Sequence, residues 1–346
     1  MRCAQIAPSL ANYIVCHILY AKENVGCIIA YMKQAPILVT GAPRSGTTFL
    51  GKMLALPRHV LYVDEPFNIE TGIEGVHHIF PNPFERHNGT STIDTLYSEL
   101  VEDLLRGTAR FKPSALRPAT QNPLHQLARD LLVSRENVTY KLQTRNPFKK
   151  QLLIKDPMAF TLSEYLHKEF NMQTVVLMRH PLSTIASYKR LNWHYDVREM
   201  LEWIAPLSQH VAEVVERFDV AALNDVERWS FFWLSVYGTL THYIDRNPGM
   251  LSITHEDLSL APYDVLKSLY EKLNLKFTPA IQRQITSYTS ADNPIEPTNN
   301  LVHVLHRNSA KNIDRWKHIL TTDEVETIHT ITGAFTEKFY PDSSWS

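Results

Sequence analysis

Cysteine is nearly absent: Cys3, Cys16 and Cys27 are the only three in 346 residues, and all precede the first recognisable motif. A disulfide framework for the main part of the chain is thereby excluded, and a reducing compartment, the cytoplasm, is expected. An excess of one charge is also lacking. Lys and Arg number 35 against 36 Asp and Glu, a formal net charge of -1. Such a balance argues against a general nucleic-acid or anionic-membrane binder and leaves room for local basic sites. A long apolar run is missing too. Residues 3–21 carry no formal charge, but Gln5, Pro8, Ser9, Asn12 and His17 interrupt them, and Lys22 and Glu23 close the stretch. A membrane span wants about 20 predominantly apolar residues. Residues 1–35 are therefore expected to form a helical extension packed on the domain, with membrane anchoring through 3–21 as the alternative. Histidine is plentiful at 16 residues, yet His59, His77, His78 and His194 fall in no ligand spacing. His303-x-x-His306 has no cysteine or acidic partner, so no metal is expected.

What is present is an alternation of short apolar runs with helical periodicity, the order of a parallel sheet covered by helices. Strands are expected at Ile37–Thr40, Val60–Val63, Leu152–Ile154, Thr174–Met178 and Met250–Thr254. A helical island spans about 93–106, long amphipathic helices occupy 197–246, and a last helix begins near Thr322. Trp203, Trp229, Phe231, Phe232 and Trp233 sit among other apolar residues at helical spacing and read as core. Two polar stretches rich in Pro and Asn, about 66–125 and 289–312, read as inserted loops or a lid. The expectation is one α/β domain over 36–346, with oligomeric state left open.

Two motifs stand at strand ends. Gly41-Ala42-Pro43-Arg44-Ser45-Gly46-Thr47-Thr48 follows the first strand and opens a helix. Backbone N–H groups there turn towards an anion, the helix N-terminus adds partial positive charge, and Ser45, Thr47 and Thr48 add hydroxyls. A Walker A loop would carry lysine where Thr47 stands, and a Walker B strand would end in Asp where Arg179 stands. A magnesium-dependent kinase is accordingly the weaker alternative. The second motif runs from Met178 to Tyr188, with Arg179 at a strand end and Ser187 two turns into the next helix. Together the two describe a nucleotide bearing phosphate at both ends of its ribose.

Pro43 to Thr48 resembles the 5′-phosphosulfate loop of the sulfotransferases that use 3′-phosphoadenosine 5′-phosphosulfate (PAPS), with Arg44 where many members carry lysine. Arg179 and Ser187 resemble that family's 3′-phosphate pair. His255-Glu256-Asp257-Leu258 is similar to a later strand-to-helix turn of the family, and Ser309 to Lys317 to its cofactor-covering loop, which implies 3′-phosphate contacts from Ser309 and Lys311. The resemblance covers roughly residues 36–340 and implies a P-loop NTPase-like α/β fold, with a central parallel sheet flanked by helices. It also implies PAPS as donor, 3′-phosphoadenosine 5′-phosphate (PAP) as product, and a small-molecule or glycan acceptor. Sulfuryl transfer needs a base at the acceptor and positive charge at the leaving phosphate. Glu65, in Asp64-Glu65-Pro66, is the candidate base and resembles the Glu-Pro of carbohydrate sulfotransferases. Asp64 is the alternative. Pro66 is expected to fix an extended exit at Glu65. Lys155 matches a family lysine near the transferred group. Pro157 stands where small-molecule sulfotransferases carry histidine, which favours a carboxylate base and a carbohydrate or glycolipid hydroxyl, or an amine, as acceptor. A non-catalytic nucleotide-binding module is the remaining alternative.

Overall fold

The computed structural model describes residues 34–112, 137–290 and 310–345, except 88, 139 and 341. The expected N-terminal helix and anchor, His303, His306 and Ser309 lie outside the described residues, as do most of the second inserted stretch and the end of the first.

Five strands form one wholly parallel sheet: β1 (Ile37–Thr40), β2 (Val60–Asp64), β3 (Gln151–Lys155), β4 (Gln173–Met178) and β5 (Leu251–Thr254). Their order is β2-β3-β1-β4-β5. Every residue of β1 and β3 is buried, which is why these strands read as continuous apolar runs and not as alternating ones. Alternation reappears in what each side chain meets. Leu38, Leu152 and Ile154 face one layer with Leu61 and Val63, and Ile37, Val39 and Leu153 face the other. The helices that bear on the site are α1 (Thr47–Leu54), α2 (Thr92–Arg106), α3 (Pro181–Leu191), α4 (Asp225–Arg246), α5 (His255–Leu260) and α6 (Thr322–Thr336). Tyr97, Val101 and Leu104 of α2 cover the first layer, and Leu50 and Met53 of α1 the second.

Chain order reverses around β1. The chain runs from β1 to β2, returns to β3 beside β1, then crosses to β4 on the other side. Open parallel sheets leave a crevice at such a point, beyond the carboxyl ends of their strands. Part of the first inserted stretch belongs to the core: Phe67, Ile73 and Val76 are buried against the α2 layer.

Helix α4 begins in a capping box formed by Asn224 and Glu227. Its Trp229, Phe231, Phe232 and Trp233 are buried, as is Trp203, in agreement with the core reading. Tyr237 goes further than packing. Its hydroxyl accepts hydrogen bonds from the N–H of Ala42 (3.3 Å) and of Arg179 (3.1 Å), and donates to the carbonyl of Leu177 (3.1 Å). One buried phenol thus joins the ends of β1 and β4, the walls of the crevice. Trp233 Nε1 adds a bond to the carbonyl of Arg179 at 2.9 Å. Replacing Tyr237 by Phe removes the hydroxyl and strands buried backbone groups, at about 1–3 kcal/mol for each group left unmet. We expect Tyr237→Phe to shift urea unfolding by at least that amount and to weaken nucleotide binding. An unchanged midpoint would show that the hydroxyl does not tie the two strand ends.

Candidate active site at the strand-end crevice

The loop from Gly41 to Gly46 makes its turn only with glycine at both ends. A Cβ on Gly41 would lie 2.3 Å from the carbonyl oxygen of Leu177, and Gly46 adopts φ 99°, with His255 Nδ1 2.8 Å from where a Cβ would stand. Gly46 is also the N-cap of α1, and no acidic side chain occupies the first turn. The leading N–H groups of that helix therefore point into the crevice as an anion cradle. Ser45 and Thr47 are buried within it. Arg44 takes φ 69°, a left-handed conformation unusual for a residue with a side chain. The buried Tyr188 of α3 holds this turn by donating to the carbonyl of Pro43 at 2.9 Å.

Arg179 stands directly beyond β4. Its Nη1 donates to the carbonyl of Arg44 at 2.7 Å, and Arg44 Nε reaches Ser187 Oγ at 3.5 Å. The two anion motifs, separate in sequence, are therefore adjacent: Arg44, Arg179 and Ser187 form one cationic group across the gap between β1 and β4. Burial lowers the Arg179 guanidinium from its ordinary value, and the charge of Glu256 acts in the opposite sense. Glu256, in the turn that the sequence marked as structural, accepts from the N–H of His180 (3.2 Å) and from the hydroxyl of Tyr340 (3.0 Å). Burial holds its carboxyl above the usual carboxylate range despite Arg179.

His180 is sealed from the other side. Its ring packs edge-on against Tyr340 and Trp345, each with centroids 4.9 Å away, and Nε2 lies 3.1 Å from Ser344 Oγ. Burial pushes its pKa down to about 3. Residues Ala310–His318 dock beside α3, where Ser183 Oγ donates to the carbonyl of Ile313 at 3.0 Å. This places the late segment alongside the helix that carries Ser187. The side chain of Lys311 lies outside the described residues.

On the other wall, parallel register sets Asp64 opposite Lys155. The Lys155 side chain is 1% exposed, with Nζ 2.6 Å from Glu65 Oε1 and 2.8 Å from Asp64 Oδ1. Burial alone would lower its pKa, but the charges of Glu65 and Asp64 outweigh it and hold the ammonium above its ordinary value. Tyr62 donates to Asp64 Oδ1 at 2.9 Å, and Asn68 Nδ2 to Glu65 Oε2 at 3.1 Å.

The extended exit expected at Glu65 is not found. Glu65 has φ 44°, and β2 ends one residue earlier, at Asp64. The preference of a residue before proline is overridden by three bonds: Glu65 N–H to the carbonyl of Lys155 (2.7 Å), Asn68 N–H back to the Glu65 carbonyl (3.1 Å), and the ion pair. Asp156, fully buried, supports this turn by accepting from the N–H of Phe67 at 2.7 Å and of Met158 at 2.8 Å. Burial, then the nearby Glu65, raises its pKa to about 7.

The candidate residues thus lie at one edge of the sheet: Arg44, Arg179 and Ser187 on one side of β1, and Lys155, Glu65 and Asp64 on the other. Tyr188, Tyr237, Asp156 and Glu256 hold them there; Tyr188 and Glu256 fall inside segments the sequence singled out, without a role of their own, and Tyr237 and Asp156 carried no site signal. Tyr237 was hidden in the apolar periodicity of its helix. Among the described residues no group of three or more His, Cys, Asp or Glu is placed to hold a metal ion, and no helix is long and apolar enough to cross a membrane.

Residues 36–279, well over half of the chain, match the model of the sulfotransferase family. This protein belongs to that family. Comparison with curated proteins gives no match. Among solved structures, the sulfotransferase domain from the curacin biosynthetic pathway is 16% identical, with 88% of this chain and 98% of that chain covered and a TM-score of 0.44. Sulfotransferase STF9 from Mycobacterium avium is 15% identical, with 88% and 77% covered and a TM-score of 0.42. Mouse sulfotransferase SULT7A1, complexed with PAP, is 14% identical, with 91% and 90% covered and a TM-score of 0.40.

Two outcomes test this geometry. Arg44→Ala and Arg179→Ala are each expected to weaken PAP binding by roughly tenfold to a hundredfold in calorimetric titration, the worth of a hydrogen bond to a charged group. Arg179→Ala should also destabilise, because it leaves Glu256 facing no positive charge. Adding Glu256→Gln should restore stability without restoring affinity. Full affinity in both arginine variants would remove them from the phosphate site.

The buried His180 sets a pH dependence. Its folded-state pKa lies below the unfolded value, so the unfolded chain binds the proton more tightly. The stability tied to its neutral form is complete above about pH 6.5 and is lost as pH falls towards 3, by about 1.4 kcal/mol per pH unit. Asp156 acts in the opposite sense over part of this window, so the readout is a difference. The stability of the wild type relative to His180→Gln should shrink steadily between pH 7 and pH 5 in urea unfolding. A constant difference would mean that His180 accepts a proton within the fold.

Proposed function

We propose that this sulfotransferase moves a sulfuryl group from PAPS to a hydroxyl of a carbohydrate or glycolipid acceptor, or to an amine, with Glu65 as the base. The observation that carries this reading is the Glu65–Lys155 pair, 2.6 Å apart at the edge of the sheet that also bears the phosphate loop. A carboxylate and an ammonium held in contact supply the two charges the reaction needs, one for the acceptor proton and one for the leaving oxygen. The donor brings a sulfuryl group bonded to phosphate through one oxygen. The acceptor oxygen bonds to sulfur as that bridging oxygen departs with its electron pair, leaving PAP, and Glu65 takes the acceptor proton. Lys155 stabilises the departing oxygen, and Arg44 with the first-turn N–H groups of α1 neutralises the 5′-phosphate. Arg179 and Ser187 hold the 3′-phosphate, with Ser309 and Lys311 as its cover.

Asp64 is read as the second partner that keeps Lys155 charged. It is the more exposed carboxylate of the two, with 56% of its side chain accessible against 31% for Glu65, and it already accepts from Tyr62. The acceptor reading draws on the Glu65-Pro66 pair and on an aromatic wall. Tyr195 stacks on Phe232 with centroids 4.0 Å apart and planes within 2°, and Phe80 packs on Phe232 at 5.6 Å. Tyr195 feels the charges of both Glu65 and Arg44, so this wall borders the reacting groups. Phe232 itself is fully buried, so the half-buried Tyr195 and Phe80 are the rings offered to the ring face of a sugar.

Glu65→Gln is expected to lower turnover of PAPS in the presence of an acceptor by roughly a hundredfold to ten-thousandfold, with PAP affinity changed little. Asp64→Asn should cost far less. If Asp64→Asn abolishes turnover while Glu65→Gln retains it, the base is the neighbouring carboxylate.

A further inference from the structure

The amino-terminal edge of the sheet lies opposite the site, about 13 Å away along β3 at the usual rise per residue. Its surface combines basic and apolar side chains. Residues 141–151 contain Lys141, Arg145, Lys149 and Lys150 and no acidic residue. The N–H of Lys150 donates to the carbonyl of His59 at 2.8 Å, which joins this segment to the turn holding Arg58. Lys276 comes from a third segment: burial lowers the pKa of His59, and the charges of Lys276, Lys150 and Lys149 lower it further. Arg58, Arg145, Lys150 and Lys276 are all exposed.

Large apolar side chains stand among these cations. Phe148 is 75% exposed, Leu142 65% and Val138 53%. The short helix that carries Val138 and Leu142 is inverted with respect to an ordinary surface helix. Tyr140 and Thr144 turn inward, Tyr140 donating to the carbonyl of Leu104. Val138 and Leu142, one turn apart, face water together with Arg145. The chain also enters the described structure here: Gln34 N–H donates to the carbonyl of Lys150 at 3.2 Å, and Gln151 Nε2 to that of Ala35 at 2.9 Å. Gln34, the first described residue, therefore lies at this same edge.

We propose that this edge docks on an anionic lipid surface. Phe148, Leu142 and Val138 enter the boundary between headgroups and acyl chains, and Arg58, Arg145, Lys150 and Lys276 lie over the phosphates. Exposed aromatic and aliphatic side chains ringed by Lys and Arg are the chemistry of an interfacial lipid site. A soluble polyanion would need the cations and gain nothing from Phe148. Docked this way, the crevice at the opposite edge faces water, open to donor and acceptor.

The test is sedimentation of the full-length protein with vesicles of phosphatidylcholine alone, and of equal parts phosphatidylcholine and phosphatidylglycerol. Binding to the mixed vesicles only is expected. Arg145→Glu with Lys150→Glu should lower the partition coefficient by on the order of 30-fold, and Phe148→Ser should lower it as well. PAP affinity, unaffected by changes at the far edge, serves as the control for folding. The proposal is overturned by equal binding to neutral vesicles, by no binding to the mixed ones, or by unchanged partition in the variants. Binding to dextran sulfate that survives Phe148→Ser, with no binding to vesicles, would assign the patch to a polyanion instead.

Discussion

A buried ammonium organises one half of this active site. Lys155 ends a strand that is inaccessible along its whole length, so its charge can persist only if carboxylates come to it. Two do, Asp64 and Glu65, because parallel register sets the end of β2 beside the end of β3. The consequences spread outward. Glu65 is drawn into a left-handed conformation, the chain turns sharply at Pro66, and Asp156 secures the far side of the turn through the N–H of Phe67. Strain of this kind persists where the surroundings over-determine it, and it collects at functional sites. The same pair is the one to which the proposed function gives proton transfer and leaving-group stabilisation.

The other half rests on two arginines brought to the ends of β1 and β4. Arg179 donates to the Arg44 carbonyl, and the charge of Glu256 offsets part of what burial costs the Arg179 guanidinium. Tyr237 fixes the separation of the two strand ends that carry these arginines.

The two edges of the sheet thereby divide the work. The carboxyl ends of the strands carry the loop glycines, the cations and the carboxylates. The amino ends carry apolar and basic side chains, and the point at which residue 34 joins the body of the protein. A parallel sheet makes this division natural, because all its strands begin on one side and end on the other.

Much of this was legible in the amino-acid sequence. The five strands appear as apolar runs because parallel strands are buried on both faces. The phosphate loop is readable because glycine, proline and hydroxyl residues between a strand and a helix have few other uses. Arg179 and Ser187 stand out because strand ends and helical turns have fixed spacings. Each of these is a local property. Tyr237 escaped, and the role of Tyr188 with it, because each depends on a single hydroxyl meeting backbone atoms 58 and 145 residues away, within helices whose periodicity speaks only of packing. The conformation of Glu65 escaped because a local preference before proline yields to an ion pair that forms only when β2 and β3 align. The adjacency of the two phosphate motifs was decided at the same level, since strand order is set by the packing of whole layers and leaves no mark on any one segment.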